Sequence, residues 1–566
     1  MDVSRRNFLK GSLTAGAVVA AGAALAGCSP SGSASSGGGD TATSTSTAQA
    51  GEQLHTWEIK PEPITDIAET KDYDIVIVGG GFAGNSAAEA AARNGATVAV
   101  VEQSDGIQCH GIDVAAIGSK WKLDNGVDID IDEACKLLFL WSQQTTNYNL
   151  IRTWAEQTGP VMDYIEEMCE AQGVHTVTAL SKTAKYGWEK LPERWRVYPD
   201  AVSFVTDADP GSTRADSKTC NWNLVEALYK NATDNGAEYF FNTHAEQLVG
   251  DAESGITGVI VTDADGNHVQ YNAAKGVILA TGDIGGNQEM IDCWAPICNR
   301  ADGNVYTPEN GNKGEGILMG CWAGAALSKS PAAPMVHQYT PDSKSFNLTA
   351  FVMSWLAVNR KGERYGAELP FEPYLTSARM NTPGNQAWSI FDSDYEKYVK
   401  QQWPTNYEVQ LEGLDEEMAK RLEDGSLIQA DTIEELAEKL GVPADKLQAS
   451  VDEYNTAYAN GKDVRFDVPA QFLSEIKTAP FYATPVVCSV LTIPMGLHVD
   501  DNSQVCTEDD EPIAGLFAIG NVQGDFFGLN YPVHCPGISH SRCVTFGQLV
   551  GEALAKDTVL TEIEFE

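Results

Sequence analysis

Two short apolar runs, residues 75–78 and 98–101, frame a stretch of small residues that opens on Gly79-Gly80-Gly81-Phe82-Ala83-Gly84. An unbroken apolar run of this length reads as a strand buried on both faces, as in parallel sheets, and the small-residue interval reads as a helix. Glu102 closes the second run. Strand, glycine turn, helix and acid-ended strand make up the βαβ unit that holds an adenine dinucleotide. Gly79 allows the tight turn, Gly81 lets the backbone approach a pyrophosphate, and Gly84 lets helix and sheet pack closely. The helix N-terminus faces the phosphate charge, and Glu102 accepts hydrogen bonds from ribose hydroxyls.

The pattern continues in a second block. Residues 223–235 carry apolar positions at helical spacing, 237–242 and 245–249 are strand-like, and Asp263-Ala264-Asp265-Gly266 marks a hairpin. An apolar strand then runs into Ala280-Thr281-Gly282 and on to Asn287, bringing bare backbone beside a nucleotide.

The first fifty residues follow another logic. Arg5-Arg6 within 4–10, followed by the mildly apolar run 13–26, predicts a twin-arginine export signal, and that run is short of the roughly 20 strongly apolar residues a span needs. Leu25-Ala26-Gly27-Cys28 resembles a bacterial lipobox, and residues 29–49 form a Ser/Gly/Thr-rich tether. The expected location is extracytoplasmic, with the protein lipid-anchored to the outer face of the cytoplasmic membrane and touching the membrane only through the anchor. The chain as a whole is acidic, with 38 Lys plus Arg against 79 Asp plus Glu and a net charge of −41, which repels nucleic acid and anionic headgroups. Twelve cysteines are scattered without a C-x-x-C, and Cys293 with Cys298 cannot complete a four-ligand site; buried thiols with no metal centre are the expectation, and a cluster assembled from distant cysteines is the alternative.

These motifs, together with 432–437, 451–455, 479–483, the strand-like 513–521 and Thr545-Phe546-Gly547, resemble the FAD-dependent fumarate reductase and succinate dehydrogenase flavoprotein superfamily. The resemblance spans about residues 72–556 and implies an α/β fold, a Rossmann-like FAD-binding domain with an inserted α+β capping domain. It divides the chain into a signal (1–27), a tether (28–71), a leading FAD-domain segment (72–330), a cap (331–484) and a closing FAD-domain segment (485–566), with the closing helix starting at Thr545. Implied FAD contacts are Gly79, Gly81, Ala83, Gly84, Glu102, Gln103, Gly111, Ala116, Ala280, Thr281, Gly282, Asn287, Gly520, Asn521 and Ile538. His110 falls two residues from the histidine that joins flavin covalently in some relatives, so non-covalent FAD is expected.

Around the implied substrate site the chain departs from fumarate reductases. Their proton-donating arginine, four residues after the glutamate here numbered Glu368, is replaced by Glu372. Their carboxylate-clamping arginine after Gly-x-Asn is Tyr531, following Gly528-Leu529-Asn530, and their substrate histidine falls on or near Thr492. A dicarboxylate needs such charge-assisted bonds, so fumarate is not the expected acceptor. Tyr531 with Cys535-Pro536-Gly537 is similar to the Tyr…Pro-Gly of 3-ketosteroid dehydrogenases, with two extra residues. There the tyrosine hydroxyl and glycine N–H form an oxyanion hole. Leu369-Pro370-Phe371-Glu372 is similar to their Leu-Pro-Tyr-Asp, but Phe371 cannot exchange a proton, which leaves Glu372 or Tyr374. His337 lies within one residue of a family histidine, whereas His534 and His540, in the lengthened loop, are expected to be solvated.

The resemblance therefore implies hydride transfer from flavin N5 to a carbonyl-conjugated C=C of an enone, unsaturated lactone or aryl-acrylic acid, as a respiratory acceptor. Electrons would come from a membrane-bound cytochrome or a quinol-linked donor. The alternatives are a ketosteroid-type dehydrogenase running the reverse reaction and a non-catalytic flavin-binding lipoprotein. If several of Trp355, Tyr365, Phe371, Tyr374, Trp388, Phe526, Phe527 and Tyr531 line the pocket, the substrate is flat and aromatic or polycyclic.

Overall fold

The structure, a computed structural model, describes residues 54–180, 190–208, 220–305, 307, 311–337, 353–369, 377–403 and 407–565. The export segment, Cys28, Phe371, Glu372 and Tyr374 lie outside them.

Ile67–Val78 is a strand, Phe82–Arg93 a helix and Val98–Val101 a second strand parallel to the first, with Ile75 opposite Val98 and Val78 opposite Val101. Residues 75–78 and 98–101 are buried on both faces, which is why they carry no polar alternation. The sheet continues on one side to Glu238–Phe240 and on the other through His268–Leu279 and Pro512–Ala518 to Gln504–Cys506. Every pairing along that path is parallel except the last. A hairpin, His244–Asp251 with Gly255–Thr262, joins His268–Leu279 antiparallel.

Helix Ile538–Lys556 closes the chain against the glycine-turn helix. Small residues set this approach: a Cβ on Gly551 would stand 2.4 Å from the Ala87 carbonyl oxygen, and one on Gly547 would stand 2.6 Å from Ser86 Cβ. Ser86 Oγ donates to the Val544 carbonyl at 2.8 Å. The closing helix begins at Ile538, not at Thr545 as the sequence pattern suggests, because Gly537 adopts φ +80° as its N-cap. Its early turns are buried along with the later ones, so no apolar stripe marks where it starts.

A second apolar core, separate from the first, is built largely from residues 353–483. Its antiparallel sheet runs Leu356–Asn359, Ala387–Asp392, Phe481–Pro485, Ile428–Ala430, covered by helices Ile433–Leu440 and Ala444–Asn460. Within it Arg364 is fully buried. Its Nε and one amino group donate to the two oxygens of Glu368 at 2.9 and 2.7 Å, with further bonds to Asp463 at 3.0 Å and Glu453 at 2.9 Å. Among the described residues no helix is long and apolar enough to cross a membrane.

Candidate active site

At Gly79 and Gly84 the glycine turn is tied to its surroundings by backbone contacts that leave no room for side chains. Gly79 has φ +107°, and a Cβ there would lie 2.5 Å from the Ala280 carbonyl oxygen; on Gly84 it would lie 1.9 Å from the Gly79 oxygen. Glu102 accepts from the Gly80 N–H at 2.7 Å and the Ser104 N–H at 2.8 Å, which holds the turn against the end of the second strand, while the adjacent Gln103 is exposed. Gly520, at φ +68°, sits where a Cβ would approach Ala83 Cβ to 3.0 Å, so the last sheet strand delivers Gly520-Asn521 to the first helix.

An adenine dinucleotide fits this arrangement. A Cβ on Gly81 would meet nothing within 4 Å, leaving space at the helix N-terminus, and the buried Thr281 hydroxyl has no hydrogen-bond partner among the described residues. Gly79, Gly81, Glu102 and Thr281 would hold the cofactor here. Gly84→Ala is expected to push the turn off this geometry and weaken FAD affinity by about tenfold or more, read as flavin retained after gel filtration.

Next to Ala280-Thr281-Gly282, buried Asp283 organises the opposite wall. One oxygen accepts from Gly285 N–H at 3.0 Å and Asn312 Nδ2 at 2.8 Å; the other accepts from Ile493 N–H at 2.8 Å and from the Thr492 hydroxyl. Asn521 Nδ2 donates to Thr492 Oγ1 at 2.8 Å. Thr492 is therefore held in place between Asp283 and Asn521. His337 is buried on the neighbouring strand Met335–His337, opposite Ser489. Asn287 caps helix Gln288–Trp294, its side chain accepting from Met290 N–H at 3.1 Å and donating to the Lys313 carbonyl at 2.9 Å.

On the closing-helix side, Gly111 packs where a Cβ would come within 2.2 Å of the His540 ring, and Ala116 N–H donates to the Asp200 carbonyl at 2.9 Å. His110 is held down from its ordinary value by burial, and its carbonyl accepts from Asn221 Nδ2 at 3.1 Å. His534 is buried rather than solvated, and His540 is half-buried, with its ring held against Phe82 rather than free in solvent. The His540 ring stacks on Phe82 and its Nδ1 donates to the Asp113 carbonyl at 2.8 Å; His534 Nδ1 donates to the Arg196 carbonyl at 2.6 Å. Burial pushes both imidazoles down to about 4, so they stay neutral. Ile538 is buried in the first turn of the closing helix. Gly537 touches the Ala115 and Asp113 backbone, where a Cβ would stand 2.8 and 2.9 Å away, and its N–H donates no hydrogen bond among the described residues.

Tyr531 is buried with its ring 4.8 Å from Phe527, and its carbonyl accepts from Trp141 Nε1 at 3.1 Å, which pins the loop. Burial pushes the Tyr531 phenol up to about 12, against the lowering pull of Arg542 and Ser539. It is a neutral donor throughout the physiological range. Trp355, by contrast, stacks on Phe391 at 5.0 Å within the second core, where Trp388 also packs, so these rings serve packing.

The same loop is anchored at its start by Asp525, at φ +62°, which accepts from Ser328 Oγ at 2.9 Å, Val499 N–H at 3.2 Å and His498 Nδ1 at 2.5 Å. His498 Nε2 faces Asp510 at 2.7 Å, and Lys329 also pairs with Asp510. The Asp525 bond, foremost, holds the His498 imidazole above its ordinary value. A raised folded-state value stabilises the fold fully below the unfolded value of about 6.5, and that contribution disappears as pH rises through the folded value. The Tm gap between wild type and His498→Gln should therefore narrow as pH is raised above about 6.5.

One residue near this site is not singled out by any sequence motif. Arg542, 1% exposed, donates to Asn521 Oδ1 at 2.6 Å and lies 4.4 Å from the Phe527 ring centroid. Its only signal in the sequence is being the sole Lys or Arg of its helix before Lys556.

The family model described as FAD binding domain matches residues 74–533. The chain belongs to this family of FAD-binding flavoproteins, the fumarate reductase and succinate dehydrogenase superfamily. FAD is its cofactor, and it is an FAD-dependent oxidoreductase acting on CH–CH bonds. A probable fumarate reductase of Shewanella frigidimarina is 26% identical over 538 residues, covering 89% of this chain and 82% of that one. A vinyl phenol reductase of Lactiplantibacillus plantarum is 25% identical over 504 residues, covering 83% and 94%. Among solved structures, a 3-ketosteroid-Δ4-(5α)-dehydrogenase from Rhodococcus jostii shares the fold, with a TM-score of 0.69 and 22% identity over 88% of this chain and all of that one.

Proposed function

We propose that this flavoprotein reduces a C=C bond conjugated to a carbonyl, in an enone, unsaturated lactone or aryl-acrylic acid, rather than fumarate. The observation that carries this reading is the pair of neutral donors on one pinned loop: the protonated Tyr531 hydroxyl and the uncommitted N–H of Gly537. Bound FAD supplies the hydride for the carbon β to the carbonyl. Tyr531 and Gly537 hydrogen-bond the carbonyl oxygen as negative charge gathers there, and being preorganised they need no rearrangement at that moment. The buried, polarised loop keeps water from that oxygen. The proton for the adjacent carbon comes from Glu372 or Tyr374, with His337 close by on the strand paired with Ser489–Thr492 as a third candidate. The layer built on the second core acts as the cap over the substrate.

A relative named as a probable fumarate reductase and another named as a vinyl phenol reductase support reduction as the direction. The twin-arginine pattern and lipobox-like Cys28 support export and anchoring at the outer face of the cytoplasmic membrane. There a membrane-bound cytochrome or quinol-linked protein is the electron source, and FAD is held non-covalently. The test is to reduce the holoenzyme with a viologen dye and supply enones, cinnamate-type acids and fumarate in turn, following dye oxidation. Turnover of an enone or aryl-acrylate well above that of fumarate is expected; fumarate as the fastest acceptor would overturn the reading.

A further inference from the structure

Four arginines are buried among the described residues, and three of them face a carboxylate: Arg364 meets Glu368 and Asp463, Arg379 meets Asp302, and Arg421 meets Glu417. Arg542 meets none. One amino group donates to the neutral amide oxygen of Asn521 at 2.6 Å, and its buried Nε has no partner among the described residues. Its other neighbours are aromatic, with the guanidinium 4.4 Å from the Phe527 centroid and 5.2 Å from that of Phe526. Burial pushes Arg542 down to about 10, so it remains a cation at neutral pH.

A buried charge left without a counter-ion is costly, because the lost hydration is not replaced. Such a group persists where a ligand brings the opposite charge. Tyr531 and Arg542 pack on the same ring, Phe527, at 4.8 and 4.4 Å from its centroid, which places the cation beside the oxyanion donor.

We propose that Arg542 is the anion-recognition residue of the acceptor site, and that the preferred acceptor is a flat apolar molecule bearing one carboxylate, as an aryl-acrylate does. This rests on the assignment of Tyr531 to the substrate site. One unpaired guanidinium matches one carboxylate, the phenylalanines match an aromatic body, and Tyr531 and Gly537, being neutral donors, bring no second positive charge to pair with a second carboxylate. A negative charge on the cofactor would satisfy the same guanidinium, and the experiment separates the two sources.

Oxidised holoenzyme is titrated with 3-phenylpropanoate, a saturated and unreactive analogue, and with its methyl ester, reading the flavin absorption. Wild type should bind the acid more tightly than the ester. R542M should raise the Kd for the acid by about 10²-fold and leave the ester unchanged, R542K should restore some of the loss, and the flavin midpoint potential should not move. Equal weakening of acid and ester, no acid preference or no binding in wild type, or a shifted potential in R542M would each overturn the proposal; the last would assign the charge to the cofactor. If R542M does not fold, the wild-type preference and R542K decide the matter. Arg542-dependent acid binding without turnover of any unsaturated carbonyl would remove the proposed function and leave the anion site standing.

Discussion

Replacing Tyr531 with phenylalanine is expected to lower turnover of an unsaturated carbonyl acceptor by about 10²–10³-fold, equivalent to about 2.7–4 kcal/mol of transition-state stabilisation. The substitution removes one hydroxyl and keeps the ring that packs 4.8 Å from Phe527. The loop stays pinned, because the Trp141 bond is to the Tyr531 carbonyl and survives. Fold, FAD content and flavin spectrum should match wild type, so a fall confined to kcat would isolate the hydroxyl. Dye-linked turnover under saturating acceptor measures it, and an unchanged kcat would take Tyr531 out of the chemistry.

The largest loss of stability is expected from Arg364→Met. The guanidinium is fully buried between Glu368, Asp463 and Glu453; burial pulls it down, but Glu368 and then Asp463 hold it well above the ordinary arginine value. Removing one partner of such a cluster strands buried negative charge and costs about 3–5 kcal/mol. Chemical denaturation should show this as a lower midpoint. Combining Arg364→Met with Glu368→Leu should recover some of the loss, because the stranded carboxylate is then removed as well.

Local chemistry is readable wherever it is written in consecutive residues. The glycine turn, its flanking strands and Glu102 follow from spacing alone, since the tight turn at Gly79 and the close backbone approach at Gly84 permit only glycine there. The run into Ala280-Thr281-Gly282 is readable for the same reason, and Ala280 N–H does pair with the Val78 carbonyl at 2.8 Å. The start of the closing helix is not, because a helix buried on all sides carries no stripe. The burial of His534 and the docking of His540 are equally hidden, because their partners, Arg196 and Asp113, lie far away in the chain.

By itself, then, the amino-acid sequence determined that this protein binds a dinucleotide on a parallel sheet; the departures at Glu372, Thr492 and Tyr531 from the fumarate reductases it resembles supply only the proposal of a different acceptor. Those features depend on residue type at short spacing, where backbone sterics and charge leave few alternatives. Only the tertiary structure decided that Thr492 is locked between Asp283 and Asn521, that Tyr531 is a buried neutral donor, and that Arg542 is a buried cation without a counter-ion among the described residues. Each of those properties is a matter of desolvation and of partners brought together across long stretches of chain, which no local pattern encodes.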